Sequence, residues 1–124
     1  MRPRVLLVED DEETRELLQE ILQQAGYRTC LARDAEEALA LLARETFGIV
    51  VLDLVLPGVF DGWRFLREIR ARRASALLPV VVISAWPLRE PLTESLVDFL
   101  SKPFSLEEFL QCLDRVSVTA AAHA

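Results

Sequence analysis

The sequence predicts an α/β protein: a five-stranded parallel sheet with helices on both faces. Three observations lead there. Short apolar runs of strand length alternate along the chain with amphipathic stretches of helix length, the pattern of successive β-α-β units. The runs are continuous rather than alternating in polarity, as in Val5-Leu6-Leu7-Val8 and Val80-Val81-Val82-Ile83, which suits strands covered on both faces. The chain has 124 residues, 52% of them apolar, enough for one domain with a sizeable core.

The first strand, Val5 to Val8, runs directly into acids at Glu9 and Asp10. A first helix spans about Glu12 to Ala25, with Leu17, Leu18, Ile21 and Leu22 on one face and Gly26 where a left-handed cap is cheap. Tyr27 to Leu31 is a shorter second strand. Asp34 opens the second helix with Glu37 three residues on, a capping-box spacing, and Ala38, Leu39, Leu41 and Leu42 supply its buried side. Ile49 to Leu52 is the third strand and ends in Asp53. The loop that follows, Leu54 to Phe60, carries the turn signal Pro57-Gly58.

Asp61 caps a third helix from Gly62 to about Arg73, in which Trp63, Phe65, Leu66 and Ile69 alternate with Arg64, Arg67, Arg70 and Arg72. The fourth strand, Pro79 to Ile83, ends at Ser84. Between it and the fifth strand, Ala85 to Ser95 contains Pro87 and Pro91, which leaves room for about one and a half helical turns. A shortened or irregular fourth helix is therefore expected. Val97 to Leu100 is the fifth strand. Ser105 opens the last helix, with Glu108 completing a second capping box and Leu106, Phe109, Leu110, Leu113 and Val116 facing inward. Residues 1–118 make the domain, and Thr119 to Ala124 reads as a disordered tail or the start of a linker.

Composition excludes several classes. A net charge of −6 disfavours non-specific binding to nucleic acid and favours a cation as ligand. Met1-Arg2-Pro3-Arg4 leads into an apolar run of four residues that ends in acids, too short for a signal-peptide core or a membrane span, so a cytoplasmic protein is expected. Cys30 and Cys112 stand in different elements without metal-ligand spacing and read as buried thiols.

The chemistry collects at one rim. In an open parallel sheet, ligands bind outside the carboxyl ends of the strands. Strand one supplies Glu9 and Asp10 there, strand three Asp53, strand four Ser84, and strand five Lys102 just beyond its end. Lys102 is the lone lysine beside thirteen arginines; its compact ammonium reaches one oxygen in a tight cleft where a guanidinium fork does not fit. Crowded carboxylates repel unless a cation intervenes, and hard oxygen ligands with few protein donors suit Mg²⁺ completed by a phosphate. A phosphoryl group in transfer then finds charge neutralisation from the metal and Lys102 and a hydrogen bond from Ser84. Asp53, central on a buried strand, is the candidate covalent nucleophile and, being ionised, needs no base.

Val8-Glu9-Asp10-Asp11, Val51-Leu52-Asp53-Leu54-Val55-Leu56-Pro57-Gly58, Ile83-Ser84-Ala85 and Lys102-Pro103-Phe104 together resemble the receiver domains of two-component response regulators. The resemblance runs from Arg4 to about Val118. It implies a flavodoxin-like, CheY-like doubly wound sheet in the order 2-1-3-4-5 and a phosphoaccepting aspartate, Asp53. It further implies Mg²⁺ held by Glu9, Asp10, Asp53 and the backbone carbonyl of Val55. Ser84 and Lys102 would form the switch pair, Phe99 the switch aromatic, with a cis bond before Pro103. The donor would be a histidine kinase or a histidine phosphotransfer protein, and the recipient of the signal a downstream protein.

Three features depart from that pattern. Asp61-Gly62 lies about one residue farther from Asp53 than is usual, and the interval from Ser84 to Lys102 is roughly four residues short and lacks the Gly-Ala pair common before the fifth strand. Trp86, two residues past Ser84, stands where a side chain can shade the phosphoryl group and slow hydrolysis. Asp11 is expected to cap the first helix rather than bind metal. The only histidine, His123, falls in the tail, so the chain is expected to receive phosphate rather than donate it. With no output segment in this sequence, signalling by contact with another protein is expected, the chain being a stand-alone regulator, a relay intermediate or a fragment of something longer. The alternatives are a receiver-like module that works without phosphorylation, a small phosphohydrolase with an aspartate nucleophile, and a flavodoxin-like cofactor binder, the last opposed by acids where a phosphate loop would sit.

Overall fold

Each continuous apolar run becomes a strand of one parallel sheet in the computed structural model, which describes residues 2–56, 61–85, 88 and 96–122, with side chains as far as Ser117. The strands are β1 (Arg4–Val8), β2 (Arg28–Ala32), β3 (Ile49–Asp53), β4 (Val80–Ser84) and β5 (Val97–Ser101), in the order β2-β1-β3-β4-β5. The described helices are α1 (Glu12–Gln24), α2 (Ala35–Arg44), α3 (Gly62–Ala71) and the C-terminal α4 (Leu106–Ala122), with a short 3-10 turn at Arg73–Ser75. The expected Pro57-Gly58 turn, the short helix before β5, Trp86 and His123 lie outside the described residues.

Successive side chains of a strand point to opposite faces of the sheet, so each apolar run feeds two cores. Leu6, Val8, Val50, Leu52, Val80 and Val82 pack with Ala35 and Ala38 of α2 and with Phe65 and Ile69 of α3. Val5, Leu7, Ile49, Val51, Val81 and Ile83 pack with Leu18 and Leu22 of α1 and with Phe109 and Leu113 of α4. β3 and β4 are buried at every position, which is why their sequences show no polar alternation.

Helix ends follow the expected chemistry. Asp11, Asp34 and Asp61 cap α1, α2 and α3, their carboxylates accepting from the amides of Thr14, Glu37 and Arg64. At α4 the capping box closes both ways, Ser105 N–H to Glu108 Oε1 at 3.0 Å and Glu108 N–H to Ser105 Oγ at 3.1 Å. At α2 only half the box forms as the spacing suggests, because the Glu37 carboxylate accepts from the amide of Arg33 instead.

Strand ends shift by a residue from the sequence reading, and three other differences have a local reason. Tyr27 closes the cap beyond α1 rather than starting β2: Gly26 adopts φ +93°, the Gly26 amide reaches the Gln23 carbonyl and the Tyr27 amide the Leu22 carbonyl, a Schellman closure. α3 stops at Ala71 because Arg72 turns extended and the Ser75 hydroxyl takes the Ile69 carbonyl at 2.6 Å. α4 continues through Ala122, over the segment expected to be a tail, consistent with the high helix propensity of its alanines.

Candidate functional site

The strand order places β2 on one side of β1 and β3 on the other, so the winding reverses between β1 and β3 and the loops after them leave in opposite directions. The register sets Val8 opposite Leu52, which puts Glu9 and Asp53 side by side as the two strands end. Glu9 is held there by its own amide on the Ala32 carbonyl. Lys102 arrives from the far side of the sheet. β4 and β5 pair as far as Ser84 and Ser101, and the Lys102 amide extends that ladder to the Ser84 carbonyl at 2.9 Å. The Lys102–Pro103 peptide is cis, as the resemblance implies.

The ammonium of Lys102 sits between the two buried acids, 3.2 Å from Glu9 Oε2 and 3.0 Å from Asp53 Oδ2. The remaining oxygens are also engaged: Asp53 Oδ1 accepts from the Val55 amide at 2.9 Å, and Glu9 Oε1 from the Asp11 amide at 3.2 Å. Asp10 stands exposed at the rim. These residues line a pocket of about 260 Å³ together with Val55, Ala85 and Thr14.

The balance of charge in this pocket is negative. Burial, and after it the charge of Asp53, pushes the Glu9 carboxyl up to about 7, although Lys102 pulls it the other way. Burial alone would lower the Lys102 ammonium, but its hydrogen bond to Asp53 and the charges of Asp53 and Glu9 hold it above the usual lysine value. One ammonium therefore does not satisfy the acids around it. Glu9, Asp10 and Asp53 each offer an oxygen within 4.8 Å of the others, a hard, all-carboxylate donor set that fits Mg²⁺ rather than a soft metal.

The remaining expected residues fall around this centre. Ser84 is buried at the end of β4, one residue before Ala85 of the pocket wall. Val55 is half exposed on the rim. Phe99 is half buried on β5 and packs with the α2–α3 core. Trp86 lies outside the described residues. Asp11 is the helix cap that the sequence indicates, its carboxylate taking both the amide and the hydroxyl of Thr14. Two residues next to the site were not singled out from the sequence. Thr14 lines the pocket, and the Arg15 guanidinium turns back onto the carbonyls of Glu9 and Asp10. The available signal was weak: both stand in the first turns of α1, where polar residues are ordinary.

Residues 5–114 match the response regulator receiver domain family. The chain belongs to that family. A transcriptional activator protein of Pseudomonas aeruginosa, PfeR, is 38% identical over 110 residues, 86% of this chain and 35% of that protein. The receiver spans between about a quarter and a half of the length of the curated relatives it matches. Among solved structures, the chemotaxis protein CheY4 of Vibrio cholerae superposes with a TM-score of 0.84 at 29% identity, over 94% of this chain and 99% of that one. A sensor histidine kinase receiver domain from Pseudomonas aeruginosa, solved with a magnesium ion coordinated in its active site cleft, has a TM-score of 0.83 at 28% identity, over 95% of this chain and 99% of that one. Receivers are signal transducers of two-component systems, and neither the phosphorylation-independent module nor the hydrolase is favoured over that reading. Among the described residues, no helix of this receiver is long and apolar enough to cross a membrane.

Proposed function

We propose that this receiver accepts a phosphoryl group from the phosphohistidine of a histidine kinase or histidine phosphotransfer protein onto Asp53, and that the acyl phosphate alters a surface read by a downstream protein. The observation that carries the proposal is the Asp53 carboxylate itself. It is buried at the pocket floor, with one oxygen held by the Val55 amide and the other by Lys102. In the transfer, Asp53 Oδ2 attacks phosphorus, an O–P bond forms, the P–N bond breaks, and the imidazole nitrogen leaves with the electron pair and takes up a proton. No general base is required, because the nucleophile is already an anion.

Lys102 would move from the free carboxylate to an oxygen of the transferred group, and the Ser84 hydroxyl would donate to another. Glu9, Asp10, Asp53 and the Val55 carbonyl are the groups that would hold Mg²⁺, which when bound supplies positive charge to the phosphoryl oxygens. A protein donor is supported by the apolar groove beside the pocket, about 410 Å³ between α1 and the start of α4, where Leu17 and Leu106 stand exposed. Movement of Ser84 toward the phosphate, followed by Phe99, would carry the change to β4 and β5. The receiver then catalyses only its own phosphorylation and slow dephosphorylation, in the cytoplasm.

Incubation with acetyl phosphate tests this reading. The expected result is one phosphoryl group per chain, dependent on Mg²⁺ and abolished by EDTA, with altered amide exchange across residues 84–102. Sustained phosphate release over many turnovers would indicate a hydrolase instead, and no uptake would indicate an unphosphorylated interaction module.

A further inference from the structure

Arg15 stands one helical turn after the cap Asp11, and its amide donates to the Asp11 carbonyl at 2.9 Å. Its guanidinium does not extend into solvent. Nη1 donates to the Glu9 carbonyl at 3.0 Å and to the Asp10 carbonyl at 3.3 Å. The Asp10 carbonyl shares a peptide plane with the Asp11 amide, and that amide donates to Glu9 Oε1. One guanidinium nitrogen therefore fixes the plane that orients the Glu9 carboxylate. The same two bonds hold the backbone on both sides of Asp10, whose exposed carboxylate takes its direction from the main chain.

We propose that Arg15 is a positioning residue for the cation: by bridging the Glu9 and Asp10 carbonyls, it keeps both acids turned toward Asp53 before any metal arrives. This rests on the reading of Glu9, Asp10 and Asp53 as Mg²⁺ ligands. Arg15 has two opposed effects on a bound cation. Its charge repels one, but at a half-exposed rim that repulsion is screened. Its hydrogen bonds preorganise the donors, and loss of such an outer partner weakens metal binding by about 10- to 100-fold. Positioning outweighs repulsion, so removing a positive charge is expected to weaken the binding of a cation. Electrostatics alone predicts the opposite sign.

Calorimetric Mg²⁺ titration of the wild type, Arg15→Met and Arg15→Lys tests the proposal. Arg15→Met keeps the aliphatic stem without the donors, and its Mg²⁺ Kd is expected to rise about 10-fold. The half-saturating Mg²⁺ for acetyl phosphate labelling should rise in step, while the rate at saturating Mg²⁺ is retained. Arg15→Lys, able to reach one carbonyl, should recover part of the loss. In metal-free protein the Asp11 amide should exchange faster in Arg15→Met than in the wild type. Equal or tighter Mg²⁺ binding by Arg15→Met, or unchanged Asp11 exchange, overturns the proposal. An absence of Mg²⁺ binding by the wild type would overturn it together with the reading of the acids, which distinguishes the two failures.

Discussion

Among the described residues, Glu9 is the carboxyl whose ionisation differs most from the ordinary value. Its value rises from 4.5 to about 7 because the group is buried beside Asp53, so folding favours its protonated form. The sign follows from linkage. The contribution is full below about pH 4.5 and is lost as pH rises through about 7. In EDTA, the stability of the wild type relative to Glu9→Gln is expected to fall by roughly 1–3 kcal/mol between about pH 5 and pH 8. Mg²⁺ should remove most of that fall by supplying the missing charge. Parallel profiles for the two proteins in urea denaturation would contradict this account. At this scale the sequence reveals the acids and the lysine, since each stands at or just beyond a strand end. It does not reveal the Lys102 bridge to both Glu9 and Asp53, because that contact depends on the β1–β3 register and on the path of the chain after β5.

Among the elements, α3 meets the main chain of the site at Gly62. A Cβ on Gly62 would lie 2.5 Å from Leu54 Cα and 2.7 Å from the Asp53 carbonyl oxygen, and the Gly62 amide donates to the Leu54 carbonyl at 3.2 Å. The first turn of α3 thus packs directly on the backbone that carries the nucleophile. Gly62→Ala is expected to lower stability by about 1–3 kcal/mol and also to slow acetyl phosphate labelling, because the obstacle is main chain and must shift. Equilibrium denaturation and labelling rates measure both, and a variant as stable and as fast as the wild type would contradict the packing argument. Element types were legible because helices and strands carry different hydrophobic periods. Ends were less so. The limit of α3 depends on Ser75 capturing the Ile69 carbonyl, a bond across six residues that no local period encodes.

For the whole molecule, five apolar strands and the residues at their carboxyl ends were enough to indicate a doubly wound sheet with chemistry at its switch point. The interior strands explain why: buried on both faces, they carry no polar residue in their apolar runs until they end, so the polar residues at the carboxyl ends of β1, β3 and β4 mark the site. What sequence does not encode locally is the network of main-chain contacts beneath it. Arg15 bonds carbonyls, and any sufficiently long donor at that position reads alike in sequence. The same architecture couples site and surface. Lys102 and Ser84 are tied at adjacent strand ends, and Phe99 lies two residues before the end of β5, on the strand paired with β4.

The central claim is that the carboxylate ending β3 carries the phosphoryl group covalently. Intact-mass measurement after incubation with Mg²⁺ and acetyl phosphate tests it directly, comparing the wild type with Asp53→Asn. The account predicts a single phosphoryl adduct on the wild type, lost on treatment with hydroxylamine, and none on Asp53→Asn. An adduct of equal occupancy on Asp53→Asn, or none on the wild type with Mg²⁺ bound, would contradict it.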